Sequence, residues 1–319
     1  MVFRETLFFV PTNGSKNFFP RFPPVFGLKR NIKCKECGFR TLYTNRMFSK
    51  TLLLIGSVFF WVGCNHKKVT PDPSSLLLLF PDRAENYDRD VQFISDRIVP
   101  DSYGQVTYEL ASEAEISAYL NLLKGEIAKY PRGYWIKGKA EHVVLGKNIK
   151  VGSQFRAAVP DAYQNVLYLS VNGQGGGGAD EYLVHVIHHE LNHNVDFVHF
   201  GDMRAVLPEW DLLNPDGFKY GSGGIQAYDD PGTPWGALNN PVPGFLDLYA
   251  TLAQEEDRSE FAALLLGSEK EVNILRDICF QDQIVVVKSR KMIELMNRFW
   301  PYANSDTYWN RINKGTHCE

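Results

Sequence analysis

The run His185-Val186-Ile187-His188-His189-Glu190-Leu191-Asn192-His193 decides how this chain is read, because it contains the pattern HExxH. On a helix, residues four apart lie on one face, so His189 and His193 can aim their imidazoles at a single ion. Glu190, one step around, can take a proton from an activated water without itself being a ligand. Zinc brings the pKa of water to about 7, which makes hydroxide available at neutral pH. The pattern therefore predicts Zn2+ held by His189 and His193, with Glu190 as general base. Five of the eight histidines fall between 185 and 199, inside one predicted helix over about 181–200. Asp180 is placed to cap that helix and Gly201 to end it.

Outward from this helix, strand-like stretches precede it at 141–146 and 163–171. The second alternates loosely through Val166, Tyr168 and Ser170, the pattern of an edge strand with one wet face. Between strand and helix lies Gly173-Gln-Gly-Gly-Gly-Gly178, which lacks the Gly-Lys-Ser/Thr ending of a phosphate loop and reads as a turn. Ile116, Tyr119, Leu120, Leu123 and Ile127 repeat at helical spacing over about 111–129, closed by Pro131. Residues 201–245 are rich in Gly, Pro and Asn without a sustained period, as in a long functional connection. Trp210 and Trp235 within it read equally as walls of a substrate cleft or as plugs in a core. Helices are predicted at about 252–266, 269–280 and 286–299.

A catalytic zinc site takes three protein ligands and keeps one position open. His199 stands at the HExxHxxxxxH spacing of metzincins, in which a glycine midway stops the helix and returns the third histidine to the metal. Here that place is Asp196, and Val195, Phe197, Val198 and Phe200 continue the helix. Ten residues of unbroken helix put His199 about 15 Å from His189 along the axis, out of reach. His185 extends the four-residue series by another turn, too far for one tetrahedral ion, so it and His188 read as supporting or surface residues.

An acidic candidate lies in Tyr249-Ala-Thr-Leu-Ala-Gln-Glu-Glu-Asp-Arg-Ser-Glu-Phe-Ala-Ala-Leu264. On a helix Glu256 and Glu260 share a face, so Glu256 can bind the ion while Glu260 supports a histidine ligand from behind. Taking Glu255 as ligand would put Ser259 in the supporting place, and taking Glu260 would put Leu264 there. Tyr249, ahead of this helix, can donate a hydrogen bond to a developing oxyanion, or equally be a buried tyrosine with a satisfied hydroxyl.

Apolar residues make up 44% of the 319 and aromatics 13%, enough for a packed core. The formal net charge of −3 conceals an asymmetry. Residues 1–63 hold 10 Lys/Arg and 2 Asp/Glu, which leaves 24 basic and 35 acidic residues for 64–319. So acidic a body excludes nucleic acid as the partner, since phosphate binding needs a basic surface. Met47-Phe-Ser-Lys-Thr-Leu-Leu-Leu-Ile-Gly-Ser-Val-Phe-Phe-Trp-Val-Gly-Cys64 has a basic start and an apolar run too short to span a bilayer. It has the form of a secretory signal, and its small residue followed by Cys resembles a bacterial lipobox in which Cys64 carries lipid. Residues 1–46 then read as an over-long N-terminus, 65–76 as a polar linker and 77–319 as the catalytic domain. Cys34-Lys-Glu-Cys37 supplies only two thiols and no second pair for a structural zinc. Cys279 and Cys318 are free to pair in an oxidising compartment.

Ile187-His-His-Glu-Leu-Asn-His193, together with Tyr249-Ala and Glu255-Glu-Asp257 followed by Glu260, resembles zinc-binding metallopeptidases of the gluzincin kind. It is more closely similar to the zinc metallohydrolase lipoproteins that accompany nutrient import in Bacteroidetes. The resemblance implies an α+β, zincin-like metalloprotease fold with the HExxH helix and a small sheet. It implies His189, His193 and Glu256 as ligands, Glu190 as base, Tyr249 as transition-state donor and Glu260 as support. It further implies a lipid-anchored outer-membrane protein and a TonB-dependent import complex as partner; it leaves the substrate unnamed, and a peptide or protein is the expectation from the zinc-hydrolase motif. Arg258-Ser259 departs from the aromatic-small pair usual there. A non-catalytic, metal-binding accessory lipoprotein of such a complex is the alternative, although a purely structural site has no need of Glu190.

Overall fold

The computed structural model describes residues 82–173, 180–230, 232–314 and 318. The signal-like run with Cys64, the linker and the glycines beyond Gly173 lie outside them. Strands β1 (Gln92–Ile94) and β2 (Val106–Leu110) come first, followed by helix α1 (Glu113–Ile127) and the single turn α2 (Tyr134–Lys137). Four strands follow: β3 (His142–Val151), β4 (Gln154–Phe155), β5 (Ala158–Asp161) and β6 (Val166–Ser170). Then come α3 (Asp180–Phe200) and the short α4 (Pro208–Asp211) and α5 (Gln226–Asp229). The chain closes with α6 (Gln254–Leu266), α7 (Glu269–Gln281), α8 (Gln283–Phe299) and α9 (Tyr308–Ile312). This is a mixed α/β architecture in which β1 and β2 occupy a stretch to which the sequence pattern assigns no element. Among the described residues no helix is long and apolar enough to cross a membrane.

The ten-residue β3 is the spine of the sheet. Its first half pairs in parallel with β1 on one side and β6 on the other; its second half pairs antiparallel with β2 and β4. β5 then pairs antiparallel with β6 and forms the outer strand. The expectation of an edge strand at 163–171 is therefore corrected: β6 is central and buried along its whole length. Tyr168 misleads because its partner is distant in sequence, and Ser170 because its neighbour Asn172 takes up its hydroxyl. Tyr168 sends its hydroxyl to the Pro100 carbonyl at 3.1 Å, and Ser170 Oγ donates to Asn172 Oδ1 at 2.7 Å.

Alternation along the strands divides the core in two. Val143, Leu145, Leu167 and Leu169 face the helices, where they meet Leu183, Val186, Ile187, Leu191 and Val195 of α3. Val144, Val166 and Tyr168 pack with Ile94, Ile149 and Val159 on the opposite face. The α3 stripe recurs every three or four residues, so the helix lies with one side on the sheet and frees another for chemistry. Asp180 is the first residue of α3 rather than its cap. Gly201 ends the helix with φ +82°, and its N–H donates to the Phe197 carbonyl at 2.8 Å.

Helix α6 packs against α3 through a buried ion pair. Arg258 donates to Asp196 Oδ2 at 2.9 Å and 2.7 Å, and also to Gln254 Oε1 and the Ala205 carbonyl. Asn192 Nδ2 donates to Ser259 Oγ at 3.2 Å one turn away. These contacts fix the rotation of α6 on α3, because breaking a buried pair strands an uncompensated charge. They face Glu256, two residues before Arg258, towards His193, three residues before Asp196. Trp210 is fully buried and donates to Asp257 at 2.8 Å, so it is a core residue rather than a cleft wall. Cys279 and Cys318 are joined by a disulfide with their Cα atoms 5.3 Å apart.

Candidate metal centre

One face of α3 presents His185, His189 and His193 on successive turns. His193 Nε2 lies 3.2 Å from His189 Nε2, and Glu256 Oε2 lies 3.0 Å from His189 Nε2 and 3.3 Å from His193 Nε2. All three residues are buried, at 5%, 7% and 9% exposure for His189, His193 and Glu256. Bonds of about 2.0–2.1 Å in a tetrahedral zinc site separate neighbouring ligand atoms by roughly 3.3 Å. The observed triangle has edges close to that length. Two imidazole nitrogens facing each other at 3.2 Å need either a hydrogen or a cation between them. The three residues together form a group that can hold a metal ion.

Glu260 stands behind His189, with Oε1 2.9 Å from its Nδ1. On its other side Glu260 Oε2 is 3.1 Å from His185 Nε2, and His185 Nδ1 is 2.9 Å from Glu271 Oε1. Burial opposes charge on His185, but the Glu260 and Glu271 carboxylates overcome it and raise its pKa to about 10. Burial likewise opposes ionisation of Glu260, and His185 and His189 hold it well below the usual carboxylate range. An ionised Glu260 can only accept, so it favours a hydrogen on His189 Nδ1, which would leave the Nε2 lone pair for an ion. His185, His189 and Glu260 also have ligand-like spacing, and there Glu271 engages the other nitrogen of His185.

Glu190 is half-buried beside the histidines. Burial raises its pKa above the ordinary 4.5 against the opposing pull of His189 and His193. That is the direction a general base working near neutrality requires. Tyr249 opens a 3-10 turn (Tyr249–Thr251), and its ring centre lies 5.8 Å from that of His189. The turn is fixed by Asp247 Oδ1, which accepts from Ala250 N at 2.8 Å, and by Tyr249 N, which donates to the Trp235 carbonyl at 2.9 Å. Burial pushes the Tyr249 phenol well up, so it remains a donor at neutral pH.

Several contributors were absent from the sequence reading. Gly224 lies against the site so closely that a Cβ there would collide with Glu256 Oε1 and the Tyr249 hydroxyl. Its segment is pinned to the Tyr249 turn by Gly221 N to the Thr251 carbonyl (3.0 Å) and Gly223 N to the Leu252 carbonyl (2.9 Å). Asp196, Arg258, Asp247 and Glu271 are all buried supports; a charged residue beside an apolar run was their only sequence signal. His199 lies outside the cluster, its ring 4.4 Å from that of Phe200. His188 faces elsewhere, its Nδ1 2.8 Å from the Tyr130 hydroxyl and its Nε2 2.8 Å from Glu126. Trp235 is half-buried and donates to the Asp230 carbonyl at 2.9 Å.

No family model matches the sequence, and no curated protein is similar to it. A solved structure of a candidate zinc-binding metallo-peptidase from Bacteroides caccae is similar at a TM-score of 0.41 and 15% identity, over 76% of this chain and 88% of that one. At this level of likeness the case for the site rests on its own geometry.

Proposed function

We propose that this chain is a zinc-dependent hydrolase that cleaves peptide bonds. The observation that carries the reading is the convergence of His189, His193 and Glu256 within 3.3 Å of one another, with Glu190 half-buried beside them. Two imidazoles and one carboxylate form a donor set suited to Zn2+ rather than to the all-oxygen shells of Ca2+ or Mg2+. Bound there, zinc would supply Lewis acidity, polarising a carbonyl and acidifying water. Glu190 takes the proton of the attacking water and passes it to the departing amine nitrogen. Tyr249 donates its phenolic hydrogen to the oxyanion. Glu260, held ionised by His185, keeps His189 oriented. The Asp196–Arg258 pair keeps α6 seated so that Glu256 stays opposite the histidines.

Glu190→Gln tests the assignment, because it preserves shape and hydrogen bonding while removing the base. The zinc-loaded variant should keep its metal and lose about 10²–10⁴-fold in kcat/KM on any peptide the wild type cleaves. Full activity with zinc retained would contradict it. The signal-like run at 47–64 supports a tether through lipidated Cys64 at the outer membrane, with 65–76 as spacer. The proposed company of a nutrient-import complex rests on the resemblance of the two motif segments alone.

A further inference from the structure

The segment joining β4 and β5 carries Arg156, whose guanidinium carbon lies 3.4 Å from the centre of the Tyr228 ring. The Arg156 backbone is tied to the sheet, its N–H donating to the Ile149 carbonyl at 2.9 Å. Its Nη2 donates to Gln154 Oε1 at 2.9 Å, and no carboxylate within the described residues pairs with it. The side chain is half-buried. A guanidinium over an aromatic face can keep its remaining N–H groups available, a fork that matches a carboxylate.

Its location ties it to the metal centre. Tyr228 lies on α5, which begins two residues after Gly224, the residue pressed against Glu256 and the Tyr249 hydroxyl. Glu190 and Glu256 both act on the Tyr228 phenol, and Arg156 acts on Glu190. Tyr182, in the first turn of α3, feels Arg156, Tyr228 and Glu190 together. Arg156 is therefore a cation with no paired carboxylate among the described residues, acting on Glu190 beside a site in which histidines engage Glu256 and Glu260. In the protein core the opposite holds: Arg258 and Lys288 each have a carboxylate of their own.

We infer that Arg156, stacked on Tyr228, forms an anion subsite beside the metal centre that takes a carboxylate of the bound peptide. The inference rests on the peptidase reading for its ligand. That carboxylate can come from the peptide C-terminus or from an acidic side chain.

The test uses one peptide in matched versions: C-terminal acid against amide, and interior Glu against Gln. Zinc-loaded wild type, Arg156→Met and Arg156→Gln are compared by kcat/KM, and by peptide binding in a Glu190→Gln background. Zinc content and melting show whether each variant is folded; should Met disrupt folding, Gln carries the test. Wild type should favour the anionic member of one pair by roughly 10- to 100-fold, and both variants should lose that preference. A preference in the acid–amide pair identifies the C-terminus as the source, and one in the Glu–Gln pair identifies a side chain. Equal preference ratios in wild type and a folded variant would overturn the inference. If wild type binds the peptides but cleaves none, the proposed activity fails, and the binding ratios still decide Arg156 by the same criterion.

Discussion

Glu256 and Asp257 are adjacent on α6, both are carboxylates and both are buried, yet their surroundings are opposite. Asp257 Oδ2 accepts from Lys288 Nζ at 2.7 Å, Tyr220 at 2.7 Å and Trp210 at 2.8 Å. Lys288 is itself fully buried, with Nζ 3.6 Å from the centre of the Phe245 ring. This charge is closed within the chain. Glu256 faces two imidazole nitrogens and, among the described residues, no Lys or Arg, so its charge balance is left to protons or to a metal ion. A buried carboxylate that brings its own cation holds helices together; one that shares a site with ligand-type nitrogens is prepared for an exchangeable cation.

Substitution separates the two roles. Lys288→Met strands Asp257 in the core and should lower stability by about 3–5 kcal/mol, read by urea unfolding, while zinc content stays unchanged. Loss of zinc in a folded Lys288→Met protein would break the distinction. On the other side, adding zinc at ~100 times its Kd should stabilise the wild type by about 2.7 kcal/mol, and Lys288→Met by the same amount. Glu256→Ala should show little of that gain.

The smallest effect concerns the relay behind His189. His185 has a folded pKa of about 10 against an ordinary 6.5, raised by Glu260 and Glu271 over the opposition of burial. A raised histidine pKa stabilises fully below 6.5, and the contribution is lost as pH rises towards 10. In metal-free protein His185→Gln should therefore cost ~1.5 kcal/mol at pH 6, shrinking steadily towards pH 10. A deficit that grows with pH would show that His185 is not the cation of the relay.

The helix bearing His189 and His193 was legible because spacing alone decides which side chains share a face. The nearness of Glu256 and Glu260 to these histidines was legible for the same reason, since only that pair puts a second carboxylate four residues behind a candidate ligand. The place of Asp196 and Arg258 was not. One stands at the position where a glycine would turn the chain, and only packing of α6 on α3 shows that they pair. The centrality of β6 was hidden because Tyr168 and Ser170 look wet until Pro100 and Asn172 take up their hydroxyls. Lys288, amid an amphipathic run, reads as a surface residue, and Arg156 gains its meaning from a ring 72 positions away. What depended on local periodicity could be read, and what depended on distant partners could not.

The central claim is tested most directly by the zinc content of residues 65–319, purified without added metal, beside His189→Ala and Glu256→Ala. The account predicts about one zinc per chain in the wild type, with both variants largely depleted while still folded. Zinc retained in full by Glu256→Ala, or no zinc in the wild type even after reconstitution, would contradict it.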